Sequence, residues 1–150
     1  MNTLRERMKD IFWLPSTVLF FVGVLDIIRG FMHTFALTYA ATNIAKLDMA
    51  APGDQVFLLG VFGISNLLTG FLYFMISRKA RELSPYVLGV IPLAYLLGLV
   101  GITSSGVHGQ AAFEGKYFML VYLATCIITF LAFLWQRSRS QSNVQRSSRQ

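Results

Sequence analysis

The feature that most constrains this chain is a set of four apolar stretches, each close to the length that crosses a membrane. A membrane-spanning helix needs about 20 mostly apolar residues, and the four stretches cover residues 11–41, 56–76, 86–102 and 117–135. Hydrophobic residues make up 55% of the 150 residues and charged residues only 13%, whereas a soluble domain carries about 25% charged residues. The sequence therefore predicts an integral membrane protein.

The type of span follows from the pattern within each stretch. The stretches are longer than β-strands and show no strict alternation of apolar and polar positions, which favours helices over a β-barrel. Four helices and their connections occupy residues 1–136, so we expect one domain there. The predicted fold class is all-α, a polytopic membrane protein with a bundle of four transmembrane helices.

The basic residues are distributed unevenly along the chain. Ten of the 13 Lys and Arg residues lie before the first span, between the second and third spans, or after the fourth. Since loops on the cytoplasmic side are enriched in Lys and Arg, we expect a cell membrane protein with both termini in the cytoplasm. Residues 137–150 are mostly Arg, Ser and Gln with no aromatic residue and predict a disordered, basic cytoplasmic tail. The net charge of +6 then indicates contact with anionic lipid, not with nucleic acid.

Three ionisable residues share one face of the first span. Within the segment LDIIRGFMHTF, Arg29 and His33 lie within about 60° of Asp26 on a helix that turns 100° per residue. A charged side chain in hydrocarbon costs about 2.5–3.5 kcal/mol, so this face should point into the bundle or at a partner. Two interpretations are open: Asp26 and Arg29 form a structural charge pair, or Arg29 and His33 line a site for an anion or a proton.

The second span carries one amide on a face of small residues. Asn66 shares its face with Gly60, Gly63 and Gly70, and small residues let membrane helices approach closely. Counted from the two ends of their spans at 1.5 Å per residue, Asn66 and Asp26 lie at similar depth and are expected to meet directly or through a water. The candidate polar or ligand-binding cluster is therefore Asp26, Arg29, His33 and Asn66.

The two histidines raise the question of a metal. His33 and His108 are both expected near the outer boundary of the membrane. Two histidines with a carboxylate can bind Zn or Cu, and two histidines can ligate a haem iron from both sides. The alternative is a pair of separate, hydrogen-bonded histidines, because the sequence lacks the usual ligand spacings. We predict no cofactor. The alternative is haem, which the two histidines could ligate.

The third and fourth spans carry small or polar residues that we interpret as packing residues. One face of the third span presents Ala94, Gly98, Gly101 and Ser105, which predicts a packing stripe, and Pro92 is expected to kink that helix. The fourth span contains Tyr122, Thr125, Cys126 and Thr129. Threonines in membrane helices usually donate to their own backbone, and a single cysteine cannot form an internal disulfide.

No catalytic motif accompanies these features. The sequence has no phosphate-binding loop, dinucleotide fingerprint or nucleophile elbow, so we predict no catalytic residue. The favoured function is a non-enzymatic accessory or assembly subunit, or a subunit that binds a small ligand through the polar cluster. The alternatives are an oligomeric transporter of a small or anionic solute and a redox protein associated with haem or quinone. The expected partners are the lipid bilayer and another membrane protein or a second copy of this chain.

Overall fold

Four long helices build the protein. A computed structural model describes residues 2–47, 53–106 and 115–147, and it describes side chains within 11–47, 53–106 and 117–141. The long helices are α1 (Asn2–Phe35), α2 (Gly53–Lys79), α3 (Ser84–Ser104) and α4 (Gly115–Ser147). Short helical segments lie at Leu37–Tyr39, Ala40–Ile44 and Arg81–Leu83.

Within the described ranges, four helical segments are long and apolar enough to cross a membrane: Ile11–Phe35, Gly53–Lys79, Arg81–Ser104 and Tyr117–Gln141. No strand occurs in the described part of the chain. The predicted all-α, four-helix membrane fold is therefore confirmed.

The first span ends earlier than the sequence predicted. α1 ends at Phe35, and Ala36 leaves the helical region with φ −109° and ψ 43°. The chain then continues as a single helical turn and a π-helix, in which the N–H of Ala45 donates to the carbonyl of Ala40 at 2.8 Å. No glycine or proline stands at this break, so the residue types around Ala36 gave no signal for it.

The last helix, in contrast, runs longer than predicted. α4 continues to Ser147, so the residues from 137 that were expected to be disordered are helical as far as that position. Helix propagation explains this difference, because adding residues to an existing span avoids the unfavourable nucleation step that a separate helix would face.

Helix α1 lies at the centre and contacts each of the other three long helices. Its closest approach is to α2, where glycines on both helices bring the two backbones together. A Cβ atom added to Gly30 would lie 2.7 Å from the backbone nitrogen of Leu67, and one added to Gly63 would lie 2.9 Å from the carbonyl carbon of His33. The small-residue face of the second span is thus the packing surface against α1, which is what brings their polar residues into reach of each other.

The C-terminal half of α3 does not pack as predicted. Ala94, Gly98, Gly101 and Ser105 are all exposed, and a Cβ atom added to Gly98 or Gly101 would meet no described atom within 4 Å. The expected packing stripe is therefore absent among the described residues. The N-terminal half of α3 does pack, with Leu88 and Ile91 in the core beside Leu19, Val22, Tyr122 and Cys126.

Candidate functional site

The site begins with an ion pair on α1. Asp26 and Arg29 are separated by three residues, which places their side chains on one helix face, and Arg29 Nη2 lies 3.8 Å from Asp26 Oδ1. Asp26 is only 4% exposed. Its charge is therefore far from any solvent, and the pair requires hydrogen-bond partners from neighbouring helices to be stable in an apolar environment.

Helix α2 supplies the first of these partners. Arg29 Nη2 donates a hydrogen bond to Oδ1 of Asn66 at 3.1 Å. Asn66 is buried on the glycine-rich face of α2, and the close approach of the two backbones brings its short side chain to the guanidinium. The structure thus places Asp26, Arg29 and Asn66 in one contiguous polar cluster.

Helix α4 supplies a partner that the sequence reasoning left out of the cluster. The hydroxyl of Tyr122 donates to Oδ2 of Asp26 at 3.0 Å, and this hydrogen bond is buried. The depths of the two residues permit this contact, although depth does not show that α1 and α4 are neighbours. Asp26 lies nine residues before the C-terminal end of α1, and Tyr122 lies seven residues after the start of α4, which are comparable distances at about 1.5 Å per residue. The threonines of α4 behave as predicted, since Thr125 and Thr129 donate to the carbonyls of Val121 and Thr125.

His33 lies one helical turn above Arg29, but it contacts an aromatic ring and not the ion pair. Its imidazole centroid is 5.8 Å from that of Phe62, and the Arg29 guanidinium carbon is 5.5 Å from the centroid of the same ring. The Phe62 ring therefore lies close to both the Arg29 and the His33 side chain. A cation close to an aromatic face is attracted by the quadrupole of the ring.

Several buried polar atoms at this site have no hydrogen-bond partner among the described residues. They are Nε of Arg29, Nδ1 of His33 and Nδ2 of Asn66. Nearly all buried polar groups in proteins are hydrogen-bonded to protein or to water, and an unsatisfied one costs about 1–3 kcal/mol. Three such atoms therefore make this cluster costly to bury.

A cavity of about 570 Å³ adjoins the Arg29 and His33 side chains. Arg29 and His33 form part of its wall, and the rest of the wall is apolar, with contributions from Leu25, Ile28, Met32, Ile44, Ala45, Leu59, Phe62, Phe118 and Met119. Ile44 and Ala45 come from the π-helical segment after the break at Ala36, so this segment covers the outer end of the cavity. Ile28, Phe62 and Phe118 are also exposed on the outside of the bundle, so the cavity reaches the surface that faces lipid.

The structure does not test whether His33 and His108 bind a metal. His108 lies outside the described residues, so its closeness to His33 stays a prediction. Within the described ranges, no three His, Cys, Asp or Glu side chains come together as a metal-binding group.

Comparison with known proteins adds no assignment. No protein-family model matches this chain, and neither a curated protein nor a solved structure matches it. The interpretation of the site therefore depends on its own geometry.

Proposed function

We propose that this membrane protein is a non-enzymatic subunit that binds a small amphiphilic molecule within its helix bundle. The observation that carries the proposal is the 570 Å³ cavity, which combines an apolar wall with Arg29 and His33. Its volume lies within the range of about 300–1,000 Å³ typical of ligand pockets. An apolar wall with a few polar groups at one place suits a ligand that has an apolar body and one polar group.

The two polar side chains in the wall support a ligand that carries a polar group. Of the eleven described residues that line the cavity, Arg29 and His33 are polar and the other nine are apolar. A ligand with a hydrogen-bond acceptor at this end of the cavity would offer these side chains a polar partner that hydrocarbon cannot supply.

We further propose the orientation of the protein in a cell membrane, with both termini in the cytoplasm and the cavity in the outer half. The distribution of Lys and Arg supports it. Three contacts support a membrane–water interface at the basic end of the bundle: Arg137 donates to the Tyr86 hydroxyl at 2.8 Å, and Arg78 and Arg139 lie over the rings of Phe20 and Trp135 at 4.6 and 3.6 Å. Aromatic and basic residues together are typical of a membrane–water interface.

The test places a larger side chain from α1 in the cavity. Ile28 lines the cavity and is 52% exposed, whereas Phe31 on the same helix is 50% exposed and lies outside the cavity wall. Ile28→Trp and Phe31→Trp therefore add an indole at similarly exposed positions of α1, and only the first reduces the cavity volume.

The readout is native mass spectrometry of the two variants and the original chain, purified in a mild non-ionic detergent. We expect a bound small molecule on the original chain and on Phe31→Trp, and its loss from Ile28→Trp. Equal retention by both variants would refute a ligand in this cavity, provided that thermal melting shows both variants to be folded.

A further inference from the structure

A second cavity lies directly below the first. It has a volume of about 290 Å³ and lies between α1 and α4, with Val18, Val22, Val121 and Thr125 among its lining residues. Leu25 and Phe118 line both cavities. The two cavities are therefore neighbours, with this pair of side chains at their boundary, and together they follow one path along the groove between α1 and α4.

The polar groups beside the lower cavity already have hydrogen-bond partners and need none from an occupant. The Thr125 hydroxyl donates to the carbonyl of Val121 at 2.9 Å, and the Tyr122 hydroxyl donates to Asp26. Only apolar surface and already satisfied groups remain, so the lower cavity accepts hydrocarbon through van der Waals packing and offers nothing to a polar group. The lower cavity has about half the volume of the upper one.

The upper end of the path sets the charge of the head group. Arg29 is a cation, but Asp26 lies 3.8 Å from it, so the pair has almost no net charge to offer an anion. What the upper cavity offers is hydrogen bonding, from the Arg29 and His33 side chains in its wall. An uncharged head group with an accepting oxygen satisfies this arrangement without adding a second anion beside Asp26.

We infer that the ligand is a neutral, single-chain amphiphile whose carbonyl-type head lies at Arg29 and His33 and whose tail passes Leu25 and Phe118 into the lower cavity. This inference rests on the proposed function, because it names the class of molecule bound at the same site. From Arg29 to Val18 the path follows eleven residues of α1, about 16 Å. A long-chain ester, aldehyde or quinone with an unbranched tail belongs to this class.

The experiment uses the full chain in phosphatidylcholine nanodiscs and two photoreactive probes. Both are long-chain fatty acid methyl esters; one carries a diazirine at the end of the tail and the other carries it beside the ester. Labelled peptides are mapped by mass spectrometry. We expect the tail probe to label the lower cavity, at Val18, Val121 or Thr125, and the head probe to label the upper cavity, at Met32 or Met119.

A pair of neighbouring residues supplies the matched variants. Val121 lines the lower cavity and is 63% exposed, while Leu120 is 67% exposed and lines neither cavity. Val121→Trp should weaken binding of the long-chain ester by at least about tenfold, equivalent to about 1.4 kcal/mol. Leu120→Trp should leave it unchanged. The octyl ester, whose tail ends sooner, should lose less affinity in Val121→Trp than the long-chain ester does.

The possible failures are distinguishable. Labelling spread evenly over exposed residues of all four helices would show bulk lipid only, and it would overturn both the inference and the proposed function. Labelling of the upper cavity by both probes, with Val121→Trp silent, would overturn the tail path and leave the proposed function standing. Tighter binding of the free fatty acid carboxylate than of its methyl ester would overturn the neutral head group.

Discussion

Tyr122 on α4 donates a hydrogen bond of 3.0 Å to Asp26 on α1, across 96 positions of sequence. Asp26 in turn pairs with Arg29, and Arg29 donates to Asn66 on α2. One chain of polar contacts therefore joins three helices. Because lipid cannot solvate any of these groups, their mutual satisfaction restricts how each helix is rotated about its axis.

Removal of the Tyr122 hydroxyl should destabilise the bundle. Tyr122→Phe keeps the ring in the core but leaves Oδ2 of Asp26 without its donor. We expect the free energy of unfolding to fall by about 1–2 kcal/mol, the range for a buried hydrogen bond to a charged group in a membrane protein. Thermal melting in detergent measures this, with Tyr39→Phe as the control because the Tyr39 ring is largely exposed. Equal melting temperatures for the two variants would contradict a stabilising role for the contact.

The ion pair should show strong coupling between its two members. Arg29→Leu leaves Asp26 as a buried carboxylate without its cation, and we expect a loss of about 3 kcal/mol in unfolding free energy. Adding Asp26→Asn removes that charge and keeps an acceptor for Tyr122, so the double variant should recover much of the loss. A chemical denaturation series on the two single variants and the double variant measures the coupling. Additive losses would mean that the residues act independently.

Periodicity and charge predicted most of this fold for a physical reason. In lipid, a span must satisfy its own backbone, so length and apolarity are enough to identify a helix. The same reasoning grouped Asp26, Arg29 and His33, because helical geometry alone decides which residues of one helix share a face. Depth and the glycines led us to expect Asn66 beside Asp26; the structure shows Asn66 accepting a hydrogen bond from Arg29, the ion-pair partner of Asp26.

Contacts between distant helices were harder to predict. Tyr122 joined the cluster only once α4 was placed beside α1, and the sequence does not specify which helices are neighbours. For the residues from Ala94 to Ser105, a packing stripe was predicted and the structure shows none. Small residues permit close packing but do not require it. The break at Ala36 has no local signal, yet it positions Ile44 and Ala45 over the cavity.

The glycines of α1 and α3 should differ sharply in their tolerance of a methyl group. A Cβ atom on Gly30 would meet the backbone nitrogen of Leu67 at 2.7 Å, whereas one on Gly98 would meet no described atom within 4 Å. Backbone atoms cannot move aside as a flexible side chain can, so Gly30→Ala should force α1 and α2 apart at a cost of about 1–3 kcal/mol. Gly98→Ala should be neutral or slightly stabilising, because alanine is the better helix former. Thermal melting of both variants tests this, and a destabilised Gly98→Ala would instead indicate that α3 packs against a partner there.

The proposed orientation predicts which positions a membrane-impermeant maleimide reaches in intact cells. The native Cys126 is fully buried, so the unmodified chain should give almost no labelling. Asn43→Cys introduces an exposed thiol beyond the outer end of α1, and Glu82→Cys and Gln141→Cys introduce exposed thiols at the basic end. If Lys and Arg mark the cytoplasmic side, Asn43→Cys should be labelled in intact cells, and the other two should be labelled only after permeabilisation. Labelling of Gln141→Cys in intact cells, with Asn43→Cys protected, would invert the protein and place the cavity in the cytoplasmic half of the membrane.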